Sequence, residues 1–415
     1  MLELSQDQNL ALKILMDFVK SNNYSKQFVT LGGFAGTGKT TIISELRKRI
    51  FIENPKLNVA FCAFTGKAVQ VLKNKLVTNQ ALLKKDEIST IHGLIYKAIE
   101  DDRGGIVGWE RKELDNLDCD LIIVDEASMV DQKIWNDLLS YQKPIIAVGD
   151  HGQLPPISGN FNLMGSPEYK LEKIHRQASE NPIIQVSILA REEGKIPHQK
   201  WNKNVFKVPL SEGHEYYEDL FSSYDSETLI LCNFNNTRLR LNKAVRRHLG
   251  FEEDTPTKND RVICLRNNHE KQIFNGMQGY IKYIKTKNEL SYDVEIDMDG
   301  SLRLYYGLIS KDQFNSEITL NNINKSYKTQ GLDLFDFGYA LTVHKSQGSQ
   351  AKKVILFEER TKHQNDEDFR RWLYTAVTRA EEKLVIFGNW VTIYLNAKID
   401  LCPTIMNLNT TFQVK

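Results

Sequence analysis

The sequence predicts an α/β fold made of two parallel-sheet domains, with a small β-barrel or meander inserted in the second and a hairpin projecting from the first. Three observations predict it. Apolar runs of strand length alternate with helical patterns, and this rhythm occurs twice along the chain. A stretch of short alternating runs interrupts the second occurrence. A glycine-rich turn separates the first strand from its helix. At 415 residues the chain is also too long for one ordinary core.

In chain order, "FVTLGGF" (28–34) reads as a buried strand and "TTIISELRKRIFIE" (40–53) as the helix after it. "NVAFCAF" (58–64) is followed by the helix "GKAVQVLKNKL" (66–76). "CDLIIVDEAS" (119–128) and "KPIIAVGD" (143–150) are two more strands, with the helix "DQKIWNDLLSYQ" (131–142) between them. Strands this apolar are buried on both faces, which implies a parallel sheet covered by helices. The polar segment "YKAIEDDRGGIVGWERKELDNLD" (96–118), whose one large apolar side chain near its tip is Trp109, interrupts this unit as a hairpin.

The second unit holds "ETLILCNF" (227–234), "NTRLRLNKAVRRHL" (236–249), "DFGYALTV" (336–343), "AKKVILFEE" (351–359), "DEDFRRWLYTAVTRA" (366–380) and "EKLVIFGNW" (382–390). The texture changes from about Phe251 to Leu334. There "DRVICLRNN", "GMQGYIKYIKT", "ELSYDVEIDMDG" and "SLRLYYGLI" alternate and are broken by Asn, Gly and Asp.

Composition narrows the class. Hydrophobic content of 41% with 26% charged residues describes a soluble globular chain, and no apolar run approaches the ~20 residues that span a bilayer. The N-terminus carries neither signal nor transit peptide character. Five cysteines (Cys62, Cys119, Cys232, Cys264, Cys402) without paired spacing argue against a zinc knuckle or disulfide framework and for a reducing compartment. Net charge is +1 from 54 basic and 53 acidic residues, so any nucleic-acid path must be a local groove.

The chemistry starts at Gly33–Thr40, which fit G-x-x-x-x-G-K-[ST] between a strand and a helix. Gly33, Gly36 and Gly38 let backbone N–H groups face phosphates, and the helix N-terminus adds a positive dipole. Lys39 supplies a point charge, the Thr40 hydroxyl can ligate Mg²⁺, and Thr37 and Thr41 complete the loop. Asp125 ends a buried strand, where an Asp holds Mg²⁺, and Glu126 beside it is placed to orient and deprotonate an attacking water. A strand-ending acidic pair that caps the next helix is the alternative. No N-K-x-D guanine-reading motif is present, so the nucleotide expected is ATP rather than GTP. Arg176 and Arg379 are candidates for charge at the γ-phosphate.

From about Leu4 to Gly388 the chain resembles superfamily-one (1B) DNA helicases of the RecD-like, Dda-like branch. "LSQDQNLAL" is similar to the Q motif, with Gln8 in the adenine-reading place, "AFTGKA" to motif Ia and "STIHGL" to motif Ib. "VDEASM" resembles motif II, "VGDHGQLPPI" motif III with Gln153 as γ-phosphate sensor, and "LEKIHRQ" motif IV. "NFNNTRLRLN" matches the next motif through Asn235 and Asn242, "ALTVHKSQGSQ" motif V and "LYTAVTRA" motif VI.

The resemblance implies two RecA-like domains with ATP in the cleft between them, an SH3-like β-barrel insertion, and a pin hairpin. The boundaries it suggests are 1–94 and 117–170 for domain 1A, 95–116 for the pin, 171–254 and 335–415 for domain 2A, and 255–334 for the barrel. It also implies Arg176 and Arg379 reaching the γ-phosphate, and 5′→3′ movement on single-stranded DNA with unwinding of duplex ahead.

Phe64, Thr65, Lys67, Thr90, His92, Asn235, Thr342, His344 and Lys345 lie in motifs that line the DNA groove in such proteins. Hydroxyls and imidazoles suit contacts made and released at every step. Phe64 stands where proline is usual, and either stacks a base or joins the core; His92 and His344 either contact DNA or are core histidines. Trp109 either acts as a wedge at the fork or folds back on its own domain.

The expected function is an ATP- and Mg²⁺-dependent DNA helicase in replication, repair or recombination. It would act as a monomer on single strands and single/double-strand junctions, beside single-strand-binding or repair proteins, in the cytoplasm of a bacterial or phage-infected cell. An RNA or RNA–DNA helicase, a translocase without autonomous unwinding, and a DNA-binding module with an inert nucleotide pocket are the rivals.

Overall fold

The computed structural model describes residues 4–21, 26–100, 106–113, 117–156, 161–174, 180–266, 268, 271, 273, 275–299, 304–320 and 331–389. Two compact units divide between Ile184 and Gln185.

The first unit opens with helix α1 (Gln6–Lys20), which starts in a capping box: the Ser5 hydroxyl accepts from the Gln8 amide and the Gln8 side chain accepts from the Ser5 amide. Strand β1 (Phe28–Gly33) leads through the glycine loop into α2 (Lys39–Glu53). Then come β2 (Val59–Ala63), α3 (Gly66–Thr78), β3 (Glu87–Thr90) and the short α4 (Ile91–Ile95). A two-stranded antiparallel ribbon follows, β4 (Tyr96–Glu100) with β5 (Ile106–Arg111). After it come β6 (Leu121–Asp125), α5 (Gln132–Leu139), β7 (Ile145–Gly149) and β8 (Tyr169–Leu171).

Six of these strands form one parallel sheet in the order β3-β2-β6-β7-β1-β8. Its continuous apolar runs are explained by two cores. Val29, Leu31, Phe61, Ile123 and Val148 face one cluster with residues of α1, α2 and α3. The intervening Ala60, Cys62, Ile122, Val124 and Ala147 face a second cluster with α4 and α5.

The ribbon is tied down at its base. The Tyr141 hydroxyl lies 2.7 Å from the Ile95 carbonyl and 2.8 Å from the Lys112 carbonyl, and the Lys112 amide donates to Ile95 at 2.9 Å. Tyr96 donates to Asp137 and Arg111 to Ser140, fixing both arms against α5 and its end.

The second unit contains α6 (Pro182–Glu192), most of which follows the division, then β9 (Gln199–Lys200), β10 (Val205–Val208), α7 (His214–Ser222), β11 (Thr228–Cys232) and α8 (Asn235–His248). The interlude forms β12 (Arg261–Cys264), β13 (Gln278–Thr286), β14 (Ser291–Met298), β15 (Tyr305–Ser310) and β16 (Phe335–Phe337). The chain closes with β17 (Ala340–Thr342), β18 (Ala351–Phe357), α9 (Asp366–Val377) and β19 (Ala380–Phe387). A second sheet runs β17-β11-β18-β19-β10-β9, parallel apart from the β9–β10 edge. The five interlude strands make an antiparallel sheet, β15-β14-β13-β12-β16, with its own core around Val262, Ile281, Val294 and Ile296.

One expectation is corrected here. "DFGYALTV" is not a single strand of the parallel sheet: Phe335–Phe337 pairs with β12, and only Ala340–Thr342 pairs with β11. The switch falls at Gly338, where a Cβ would lie 2.8 Å from the Val262 backbone carbon. Fully buried Asn242 spans the switch, accepting from the Ala340 amide at 2.8 Å and donating to the Phe337 carbonyl at 3.3 Å.

Helix α8 joins the inserted sheet through buried charges. Asp260 accepts from Arg246 at 2.8 and 2.9 Å and from the Tyr339 hydroxyl at 2.8 Å. Removing one partner of a buried pair strands the other charge. Asp260→Ala is therefore expected to destabilise the second unit by about 3–5 kcal/mol, read as a shift in its urea unfolding midpoint.

Candidate nucleotide site and strand track

The glycine loop is built by its backbone. Gly36 and Gly38 have φ of 80° and 82°, a left-handed conformation that side chains disfavour. Gly38 caps α2, so the helix N-terminus faces the loop, with Thr40 and Thr41 in its first turn. A Cβ on Gly33 would come within 2.6 Å of the Thr37 hydroxyl. Thr37 is itself buried and donates to the Phe34 carbonyl at 2.8 Å. Lys39 donates to the Gly33 and Phe34 carbonyls at 2.7 and 3.1 Å. Gln8 donates to the Thr37 carbonyl at 3.1 Å, which ties the helix α1 cap to the loop.

Two neighbouring strands bring the acidic groups. Asp125 ends β6, and burial first, then the Glu126 charge, push its carboxyl up to about 6, while Lys39 acts in the opposite direction. Glu126 follows in a left-handed conformation (φ 51°) and donates its amide to Asp125 at 2.9 Å. Its Oε2 is buried with no hydrogen-bond partner among the described residues. A recessed carboxyl pair of this kind, one of them with an unused buried oxygen, suits a divalent cation and a water.

Asp150 follows β7 and is 1% exposed. It accepts from the Gly152 amide at 3.0 Å and from Gln153 Nε2 at 3.4 Å, and lies 3.7 Å from Lys39 Nζ. Sequence reading singled out Gln153 and passed over Asp150. The signal was its place, directly after the apolar run "IIAVG".

Further along the same edge sit the motif Ia and Ib residues. Asp125 is in register with Ala63 on β2, and Ala63 with Thr90 on β3. Thr65 and Thr90 cap α3 and α4, accepting from Ala68 at 3.2 Å and Gly93 at 3.0 Å. Lys67 is half-buried in the first turn of α3. Phe64 packs partly on the second core, with its ring edge towards His92 at 6.2 Å, and burial lowers the His92 pKa.

In the second unit, Thr342 at the end of β17 is in register with Cys232 at the end of β11. A 3₁₀ turn, Val343–Ser346, then presents His344 and Lys345, while Asn235 is exposed at the start of α8. Burial lowers the His344 pKa, and burial with the nearby Arg238 charge brings Lys345 down to about 8. Arg379 is fully buried and donates to the Thr375 and Ser349 carbonyls at 3.1 Å each. Arg176 lies outside the described residues, as does the side chain of Trp109, whose backbone pairs with Ala98 in the ribbon.

Residues 18–159 match the family model of an AAA domain, and residues 337–387 that of a UvrD-like helicase C-terminal domain. The chain is 27% identical over 384 residues to the ATP-dependent RecD2 DNA helicase of Deinococcus radiodurans, covering 88% of this chain and 47% of that one. It is 25% identical over 448 residues to the ATP-dependent DNA helicase dda of Enterobacteria phage T4, covering 91% and 97%. These matches make the chain similar to helicases of the RecD2 and dda kind.

The fold agrees with that of a Pif1 helicase from Bacteroides in complex with ADP-AlF3 and single-stranded DNA. The TM-score is 0.53 at 17% identity, covering 98% of this chain and 97% of that one. A Pif1 structure described for DNA unwinding at forked duplex gives 0.53 at 19%, with 94% and 93% covered. The chain spans about half the length of the RecD2 relative and nearly all of dda. Its two parallel sheets are consistent with RecA-like domains. The first unit brings together Gln8, Thr37, Lys39, Asp125, Glu126 and Gln153, with Asp150 added.

Proposed function

We propose that this chain is a helicase that hydrolyses ATP to move 5′→3′ along single-stranded DNA and to open duplex ahead of it. The observation that supports this best is the layout of one sheet edge. Along β3-β2-β6-β7-β1, the strand-track residues Thr90 and Thr65 are followed by Asp125 and Glu126, then Asp150 and Gln153, then the phosphate loop. In this reading nucleotide chemistry and strand contact are assigned to successive strand ends of one sheet.

Lys39 and the loop amides would hold the phosphates, with Thr40 and Asp125 holding Mg²⁺, which when bound spreads the phosphate charge. Glu126 takes the proton of the attacking water, Gln153 senses the γ-phosphate, and Arg176 and Arg379 are assigned to its charge during turnover. Phe64, Thr65, Lys67, Thr90 and His92 are assigned to one grip on the strand, and Asn235, Thr342, His344 and Lys345 to the other. The five-stranded insertion is read as the SH3-like domain and the ribbon as the pin.

Strand displacement tests this on two duplexes, one with a 5′ and one with a 3′ single-stranded tail, each beside a Lys39→Ala control. Opening of the 5′-tailed duplex alone, lost in the control, is expected. Opening from the 3′ tail would keep the motor and reject the polarity. DNA-stimulated hydrolysis without opening of either would leave a translocase that requires a partner.

A further inference from the structure

We propose that Glu359 is a positioning residue that anchors the start of helix α8 from a neighbouring strand and so sets where Asn235 stands on the strand track. The inference rests on the assignment of Asn235 given above and names what holds it in place. The strand order β17-β11-β18 puts the exit of β11 between two others, with Cys232 opposite Thr342 and Leu231 opposite Leu356. Glu359 lies two residues beyond β18 and is 4% exposed. One carboxylate oxygen accepts from the Asn233 and Phe234 amides at 2.8 and 3.0 Å, and the other from the Thr237 hydroxyl at 2.6 Å. Asn233 Nδ2 also donates to the Glu359 carbonyl at 3.5 Å.

The residue before a helix commonly caps it with a side-chain oxygen, and a Glu or Gln three residues on returns a bond to that residue's amide. At α8 the capping position is Phe234, whose side chain makes no such bond, and the third helical residue is Thr237. The Glu359 carboxylate takes the missing part from another strand, bonding both the Phe234 amide and Thr237. All three of its donors are uncharged; burial raises its pKa, and these bonds act in the opposite direction. Asn235 is the first residue of the helix and is exposed, and its Oδ1 accepts from Arg238 Nε at 3.4 Å. Its direction therefore follows the first turn of α8, and that turn is tied to the end of β18. Glu359 itself is too enclosed to touch a bound strand.

The test is binding of a fluorescently labelled oligothymidylate to the full chain without nucleotide. Glu359→Gln keeps the shape and puts an amide N–H₂ where donors converge. Positioning predicts weaker binding, by about threefold to tenfold, as for the loss of one directed hydrogen bond. The sign is informative, because a carboxylate acting only through its charge would repel phosphates and its removal would tighten binding. Asn235→Ala is expected to weaken binding by a similar factor. The double variant should bind as Asn235→Ala does, within about twofold, since both changes remove the same contact. A merely structural role would make the two losses multiply.

Unchanged or tighter binding by Glu359→Gln, or multiplied losses in the double variant, would overturn the proposal. Should Glu359→Gln fail to fold, Thr237→Val decides in the same cycle: it removes the hydroxyl tie alone and is expected to weaken binding only while Asn235 is present. An Asn235→Ala chain that binds like the wild type would instead reject the strand-track reading of Asn235, and the proposal with it.

Discussion

Replacing Glu126 with glutamine is expected to lower ATP turnover by ~10²–10⁴-fold, the contribution of a positioned general base, while nucleotide binding is retained. The geometry makes the substitution clean. Glu126 sits in a left-handed backbone conformation directly after Asp125, and its amide donates to the Asp125 carboxylate. Its Oε2 is buried without a hydrogen-bond partner among the described residues, an arrangement that costs stability. Glutamine keeps the volume and removes the charge.

One consequence separates this prediction from a loss of folding. The Glu126 charge is one of the causes that hold the Asp125 carboxyl up near 6. Its removal should let Asp125 return towards the ordinary carboxylate range, and the melting temperature should not fall. Phosphate release together with labelled-nucleotide binding measures both quantities. A Glu126→Gln protein that hydrolyses ATP at the wild-type rate would end the assignment of Glu126 as base.

The second large effect is expected at Trp109. Trp109→Ala should keep DNA-stimulated ATP hydrolysis and lose most strand displacement. The residue lies on β5, opposite Ala98 on β4, in a ribbon whose two arms are held at their base by the Tyr141 hydroxyl and by Arg111 and Tyr96 against α5 and its end. The ribbon is thereby tied at its base to the unit that carries the phosphate loop. Stacking of a base on an aromatic side chain is worth ~1–3 kcal/mol, on the order of 10- to 100-fold in the step that opens the fork. Displacement of a tailed duplex and hydrolysis stimulated by an unpaired strand, measured on the same preparation, decide it. Equal loss of both activities would place Trp109 in the fold of its unit rather than at the fork.

Much of this molecule is legible in one dimension because its signals are local. Continuous apolar runs at 28–34, 58–64, 119–128 and 143–150 become strands buried on both faces, since only a covered parallel sheet accepts them. The capping residues Ser5, Thr65, Thr90 and Asp131 each accept a backbone amide where a helix begins. Short or weakly apolar strands were not legible: β3, β8 and the edge pair β9–β10 are two to four residues long and carry too little pattern to stand out.

What the sequence determined by itself is the longer elements and the phosphate loop, because periodicity and G-x-x-x-x-G-K-[ST] act within a few residues of one another. Tertiary structure decided the rest. Asp150 enters the site only because β7 pairs with β1, more than a hundred residues earlier in the chain. "DFGYALTV" divides between two sheets at Gly338 because Val262 leaves no room there for a side chain, and Asn242 from another element bonds both halves. The carboxyl of Asp125 is raised by burial that its neighbours in sequence do not reveal. Each of these depends on which strands become adjacent, a property of long-range packing that no local pattern of residues encodes.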